Sequence, residues 1–543
     1  MSLAQALSAD DAARLIPDRA VVAISSSSGL NTPDRVLRAI GERFAREGRP
    51  QALTTVHPIG SGDMYGIAGI DHLARPGLLA RVIAGSYPSG PSTLPMPLIW
   101  QLILEDAIEA YNLPSGLIFD MLRSAAAGGA GVLTKVGLDT FVDPRREGGR
   151  MNRAARDGLV RLLELDGEAW LHLPPIAPDV AIIRGTAADA RGNVSMAEEA
   201  APLGTLDLAL AARNAGGLVI AQVRRLEPAG AIPTRGVHVP CSLVDVVVVD
   251  PDQMQATGTR YDPALSGEIR VDLATLGAEP FGIEKVIARR AALELRAGDV
   301  AALGFGVSAL VPRILLEEGR HGEVTWAIEQ GPVGGVPVTG FAFGCALNAD
   351  AIIPSPQQFT FFQGGGFDCA FVSFLQIDRD GNVNVSKLAK RPYLTAGAGG
   401  FIDITARGRR LVFGGTFTTG GLDVAVEDGR IAIRTEGRIK KLVPEVEQVT
   451  FSGRRAREQG QEVTVVTERC VLRRTEAGLM VTEIAPGVDL ERDVLGQAEI
   501  ALGVSPDLAL MDPRLFRPEP MGLELAPARP RWREPRGEPG SPR

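Results

Sequence analysis

The sequence predicts an α/β fold built from two homologous Rossmann-like domains in tandem, each an open, mostly parallel sheet covered by helices. Three observations carry this. Continuous apolar runs, AVVAI (20–24), GLVIAQV (217–223), LVDVVVVD (243–250) and RLVFGGTF (410–417), alternate with helical patterns such as TPDRVLRAIGERFARE (32–47). Unbroken apolar strands separated by amphipathic helices are what a parallel sheet with both faces covered requires. Second, DVAIIRGTAADARGNVSM from Asp179 resembles DCAFVSFLQIDRDGNVNV from Asp368, 189 positions on, and Gly192 and Gly381 keep the same separation. Third, AARLIPDRAVVAISSSSGL from Ala12 parallels AALELRAGDVAALGFGVSAL from Ala291, 279 positions on. Self-similarity of this kind signals a duplicated unit.

The two offsets differ because the first copy carries extra residues, expected around 70–175. The predicted organisation is therefore a first α/β domain over 1–251, a polar Gly/Pro-containing linker over 252–285, a second α/β domain over 286–516, and a tail over 517–543. The stretch PARPRWREPRGEPGSPR has almost no aliphatic residues, so it is expected to be solvated and disordered. At 543 residues the chain exceeds the roughly 150 residues of one ordinary core. Within the repeat, LTTVHPIGSG (53–62) parallels VTWAIEQGPVGG (324–335), which sets His57 in the place of Glu329 and the serine run Ser25–Ser28 in the place of Gly304-Phe305-Gly306.

Composition removes several classes. A net charge of -8 with scattered Lys and Arg lacks the basic stripe that a phosphate backbone requires, so nucleic acid is not an expected partner. No run reaches the roughly 18 apolar residues of a membrane span, and the start MSLAQALSADDAARL has no basic n-region, so no membrane partner and a cytoplasmic location are expected. The four cysteines and five histidines form no CxxC, HxH or HxxxH pair, so neither a metal site nor a disulfide scaffold is signalled.

The chemical candidates lie in the second copy. The run VAALGFGVSALVPRILLEEG takes an apolar strand through Gly304-x-Gly306 into a helical pattern. Two glycines there let a phosphate-bearing ligand approach free backbone N–H groups. The same GxGxxA spacing, with Glu329 at the next strand's end, also fits a dinucleotide site; a nicotinamide-dependent oxidoreductase stays open on these residues alone. Glu329 leaves a strand into QGPVGG, where ribose binding, general-base or nucleophilic work, or simple turn hydrogen bonding would each explain a carboxylate. Two further glycine clusters, FFQGGGFDCAF (361–371) and LTAGAGGFIDI (394–404), could aim N–H groups at a developing oxyanion.

The ordered series EQGPVGGVP, GGGFD, DRDGNVNVS, GAGGFIDI, VFGGTFTTGGL, PEVEQVTFSG, VTERCVL, EIAPGVDLERDVL and MDPRLF resembles the family I coenzyme A transferases, in the propionate/acetate group with both halves fused. The first half agrees through HLARPGLLARVIAGSYPSGP, EDAIEAYNLPSG, KVGLDTFVDPRREGGRMN and IRGTAADARGNVSM. The resemblance covers about residues 10 to 516. It implies that Glu329 is the nucleophile, that Gly397, Gly399, Gly400 and Phe401 form the oxyanion loop, and that Gly304, Phe305, Gly306, Val307 and Ser308 contact CoA. Gln330 and Gly364, Gly365 and Gly366 are the substrate-pocket candidates.

The activity so implied is transfer of CoA from a short-chain acyl-CoA to acetate or another small carboxylate. Such enzymes work by a ping-pong route through an acyl-glutamyl anhydride and a glutamyl-CoA thioester. CoA is a substrate, so no cofactor and no metal are called for, and the family suggests a homodimer or homotetramer. Departures from the pattern are SSSSGLNTPD in place of a glycine-rich turn with Pro-Glu, Ser308 in place of proline, and Gln363 in place of an acid. They bear on the choice of acyl group. An acyl-CoA hydrolase on the same fold and a non-catalytic CoA-binding paralogue would each fit the same motifs.

Overall fold

In a computed structural model of the chain, residues 4–528 are described. The first half is organised around a parallel sheet with the order Gln5–Leu7, Val246–Val249, Leu218–Glu227, Val180–Asp189, Val21–Ile24, Leu53–His57, Leu79–Ala84, Glu109–Asn112. The second half repeats its centre. Glu462–Val466, Arg410–Gly414, Cys369–Ser373, Val300–Leu303 and Thr325–Ala327 run parallel in the corresponding order. All ten residues of Val180–Asp189 are buried, as expected of a central strand with helices on both faces.

The duplication holds to the residue. Val22 lies opposite Val180 and Ile24 opposite Ile182, and in the second sheet Ala301 lies opposite Cys369 and Leu303 opposite Phe371, which reproduces both sequence offsets. Two aspartates repeat as well. Asp179 accepts from Val21 N at 2.8 Å and Asp368 from Val300 N at 3.0 Å, each tying the start of a strand to its neighbour. The shared GNV turn is built alike too, with Asp189 accepting from Arg191 N and Asn193 N and Asp378 from Asp380 N and Asn382 N.

One pairing from the sequence shifts. Thr54 lies opposite Val21 and Thr325 opposite Val300, so the counterpart of His57 is Ile328 and the counterpart of Glu329 is Pro58. Counted residue for residue from Leu53 and Val324 the two segments give this same pairing, so setting His57 against Glu329 is one position out. His57 is buried, with Nδ1 donating to Ile59 O at 3.0 Å, and burial pushes its pKa down to about 4, leaving the ring neutral.

The extra segment of the first half supplies the strands Leu79–Ala84 and Glu109–Asn112, the helix Ser115–Ala126, and a three-stranded sheet of Val132–Thr134, Arg161–Leu165 and Glu168–Leu173. The linker is not loose. Gln253 and Gln255 are buried and donate to Gly185 O and Glu198 O, while Val271 N donates to Asn348 Oδ1. The expected tail begins later than residue 517. Met521 and Leu523 are buried, Arg289 donates to the carbonyls of Arg517 and Glu519, and Glu318 accepts from Met521 N and Leu523 N. These apolar side chains lie upstream of the aliphatic-poor stretch 527–543 on which that expectation rested; residues 529–543 of that expectation lie outside the described residues. Among the described residues no helix is long and apolar enough to cross a membrane.

Candidate active site

The site is assembled at the C-terminal ends of parallel strands, where open α/β sheets bind ligands. Thr325–Ala327 ends two residues before Glu329. Glu329 Oε2 accepts from Gly400 N at 3.1 Å, and Oε1 accepts from Gln330 Nε2 at 3.2 Å. No salt bridge reaches this carboxylate among the described residues. Burial pushes its pKa up to about 7 against the smaller opposing effect of those two donors. A half-buried carboxylate without a cation is poorly solvated, which favours nucleophilic use.

Gly400 is glycine for a steric reason. A Cβ there would lie 2.3 Å from Glu329 Oε2 and 2.7 Å from the Phe359 ring. Phe401 starts the short helix Phe401–Thr405 and donates its own N–H to Ala398 O at 2.9 Å, as Gly399 donates its N–H to Gly85 O at 2.8 Å, so within Gly399–Phe401 the N–H aimed at Glu329 is that of Gly400. Gly397 and Gly399 adopt positive φ, +94° and +51°, which non-glycine residues rarely hold.

The five CoA candidates form one turn with mixed exposure. Gly304 N donates to Phe371 O at 2.8 Å. Gly306 has φ +99°, and a Cβ on it would meet Ser373 Oγ at 2.4 Å. Phe305 is 72% exposed and meets Phe343 edge-on at 5.2 Å. Val307 is half-buried and opens the turn Val307–Leu310. Ser308 is buried with its hydroxyl spent on Val372 O at 2.9 Å, so its side chain braces the strand rather than facing the crevice.

Gln330 sits in the site, and Gly364, Gly365 and Gly366 do not. Those three glycines follow the helix Ser355–Gln363. The nearest atoms to a Cβ at Gly364 would be its own helix's Thr360 O and Phe361 O, while Gly365 packs on Arg407 and Gly366 on the Phe361 ring. The substrate-pocket assignment is corrected accordingly: the run ends a helix in a tight turn. It is the other end of that helix that reaches the site, where Ser355 Oγ donates to Gln330 O at 3.1 Å. Gln363 donates to Asp403 Oδ1 at 2.9 Å, a bond that a carboxylate at that position could not make. Burial pushes the Asp403 pKa up to about 8.

Several site residues escaped the sequence reading because they come from the first half. Gln330 Nε2 also donates to Ser27 Oγ at 3.2 Å, so the serine run meets the residue that follows the second half's acid. Asn112, Gly85 and Ser115 hold the glycine loop from the other side. The stretch EDAIEAYNLPSG, which contains Asn112 and Ser115, was the available signal. Among the described residues no group of three or more His, Cys, Asp and Glu is placed to hold a metal ion.

The chain is similar over nearly its whole length to known proteins. A family model described as Coenzyme A transferase matches residues 6–250. The chain is 37% identical over 524 residues to the acetate CoA-transferase YdiF of Escherichia coli (strain K12), covering 96% of this chain and 97% of that one. It is 39% identical over 528 residues to the caffeate CoA-transferase of Acetobacterium woodii, covering 96% and 99%. The solved apoenzyme of acyl-CoA transferase (YdiF) from Escherichia coli O157:H7 is 36% identical and matches with a TM-score of 0.90 over 97% of this chain and 99% of that chain. The structure of its thioester complex with CoA gives 0.89 over the same shares.

Proposed function

The chain belongs to the coenzyme A transferase family, and from that premise we propose that Glu329 is the nucleophile that carries CoA between a short-chain acyl-CoA and a small carboxylate. The observation that carries this reading is the Glu329 carboxylate itself: poorly solvated, without an ion-pair partner among the described residues, and bonded by Oε2 to Gly400 N at 3.1 Å. Oε1 attacks the thioester carbonyl, expelling CoA thiolate and leaving an acyl-glutamyl anhydride. The thiolate then adds to the Glu329 carbonyl carbon, the acyl group departs as its carboxylate, and a glutamyl-CoA thioester is left. Gly400 N–H already sits on the oxygen that becomes the oxyanion at that addition. A fixed donor of this kind contributes about a hundredfold or more in rate. The acceptor carboxylate reverses the two steps.

The named relatives act with acetate and caffeate, and an acetate-like acceptor is part of this proposal. So are the CoA contacts of Gly304 to Val307, a cytoplasmic location, and a homodimeric or homotetrameric assembly read from the family resemblance. Incubation with acetyl-CoA or propionyl-CoA in the absence of acceptor should yield a covalent CoA adduct by intact mass, mapped by peptide analysis to Glu329. Absence of that adduct, together with unchanged turnover in Glu329→Ala, would overturn the assignment.

A further inference from the structure

The glycine loop that donates to Glu329 belongs to the second half, yet almost every bond that shapes it comes from the first. Asn112 closes the strand Glu109–Asn112 and is buried. Its Oδ1 accepts from Ala398 N at 2.8 Å. Its Nδ2 donates to Ala84 O at 3.0 Å and to Gly85 O at 2.7 Å. Gly85 O in turn accepts from Gly399 N at 2.8 Å, Gly399 O accepts from Ser115 N at 2.9 Å, and Ala396 O accepts from Tyr87 N at 2.8 Å. The loop residues Ala396, Ala398 and Gly399 are thus all fixed from across the interface, and the N–H of the next residue, Gly400, is left for Glu329. Gly397 is glycine because the amide approaches it closely: a Cβ there would lie 2.7 Å from Asn112 Nδ2.

We propose that Asn112 is the positioning residue of the transfer reaction, setting the loop so that Gly400 N–H points at the Glu329 carboxylate. This inference rests on the reading of Glu329 as nucleophile. It also gives the extra segment of the first half a purpose, since Gly85, Asn112 and Ser115 all lie within it and the second half has no counterpart. An amide suits the task because it presents one acceptor and two donors in a plane. Alanine supplies none of these, and aspartate supplies acceptors only, facing two carbonyl oxygens. Misplacement of a catalytic group by about 1 Å can cost about a hundredfold.

The test compares Asn112→Ala and Asn112→Asp with Arg454→Ala, which cuts a different contact between the halves, the Arg454–Asp139 ion pair at 2.5 Å. The measurements are kcat and KM for acetyl-CoA, the single-turnover rate of CoA adduct formation at Glu329, and the melting temperature. The expected result is a fall of about tenfold to a hundredfold in kcat and adduct formation for both Asn112 variants. KM should stay within about threefold, and Arg454→Ala should match wild type in rate. The isosteric Asn112→Asp keeps the shape of the core and serves alone if Asn112→Ala does not fold. Adduct formation at the wild-type rate in Asn112→Asp overturns the proposal, and so does a loss that tracks melting temperature equally in Arg454→Ala. If wild type forms no adduct at Glu329, the nucleophile assignment has failed instead, and the two failures are told apart.

Discussion

Glu329 is held by opposing forces, and their balance is measurable. Burial raises its pKa from the ordinary 4.5 to about 7, while Gly400 N–H and Gln330 pull it down by less. Attack requires the ionised form, so the single-turnover rate of adduct formation should rise with pH and level off above about 7. Stability runs the other way. The folded chain binds this proton more tightly than the unfolded one, so between about 4.5 and 7 the stability contributed here falls as pH rises. Glu329→Gln cannot ionise, so its melting temperature should exceed that of wild type at pH 8, and the gap should close below about pH 4.5. Activity in that variant should be lost. Gly400→Ala should cost about a hundredfold or more in kcat, because its Cβ would fall 2.3 Å from the attacking group's own carboxylate; an unchanged kcat would show that the loop moves freely. The acid itself stood out in the sequence, whereas its donor was one glycine among two clusters that residue types alone do not rank and only the family resemblance set apart. Glycine runs look alike whether they aim N–H groups at an anion, as Gly400 does, or end a helix, as Gly364 to Gly366 do.

At the scale of strands and turns, the duplication is a statement about hydrogen bonds as well as letters. Asp179 and Asp368 do the same job on equivalent strands, so Asp179→Ala and Asp368→Ala should each destabilise by about 1–3 kcal/mol in chemical denaturation, with KM little changed. A silent effect at one of the pair would break the equivalence. The turn after Val300–Leu303 tests differently: Gly306→Ala forces a side chain into φ +99° and against Ser373 Oγ, and KM for the acyl-CoA should rise several-fold while kcat moves less. Buried parallel strands were easy to see in the sequence, because both faces demand apolar residues and the pattern is continuous. Register was harder. Counted letter for letter, LTTVHP and VTWAIE set Pro58 rather than His57 against Glu329, and the strand partners Thr54 and Thr325 agree.

The whole molecule explains why the site could be only half read. Asn112 and Ala398, or Ser27 and Gln330, meet across hundreds of residues, and no local pattern encodes such a meeting. The same holds for the chain after residue 516, whose carbonyls are gathered by the buried Arg289. Arg289→Ala should lower stability by about 1–3 kcal/mol, read by denaturant unfolding, without touching the chemistry. On the proposed reading the two halves divide the labour, with one supplying the nucleophile and its oxyanion donor and the other supplying the frame that aims them. The central claim, that Glu329 passes through an anhydride and a thioester, is tested most directly by following oxygen. The acceptor's attacking oxygen becomes the bridge of the second anhydride and stays with the enzyme when thiolate takes the acyl group. With 18O-labelled acetate as acceptor and one round of transfer, the account predicts one 18O in the peptide carrying Glu329, located on its carboxylate. Full turnover with no label in that residue would contradict it.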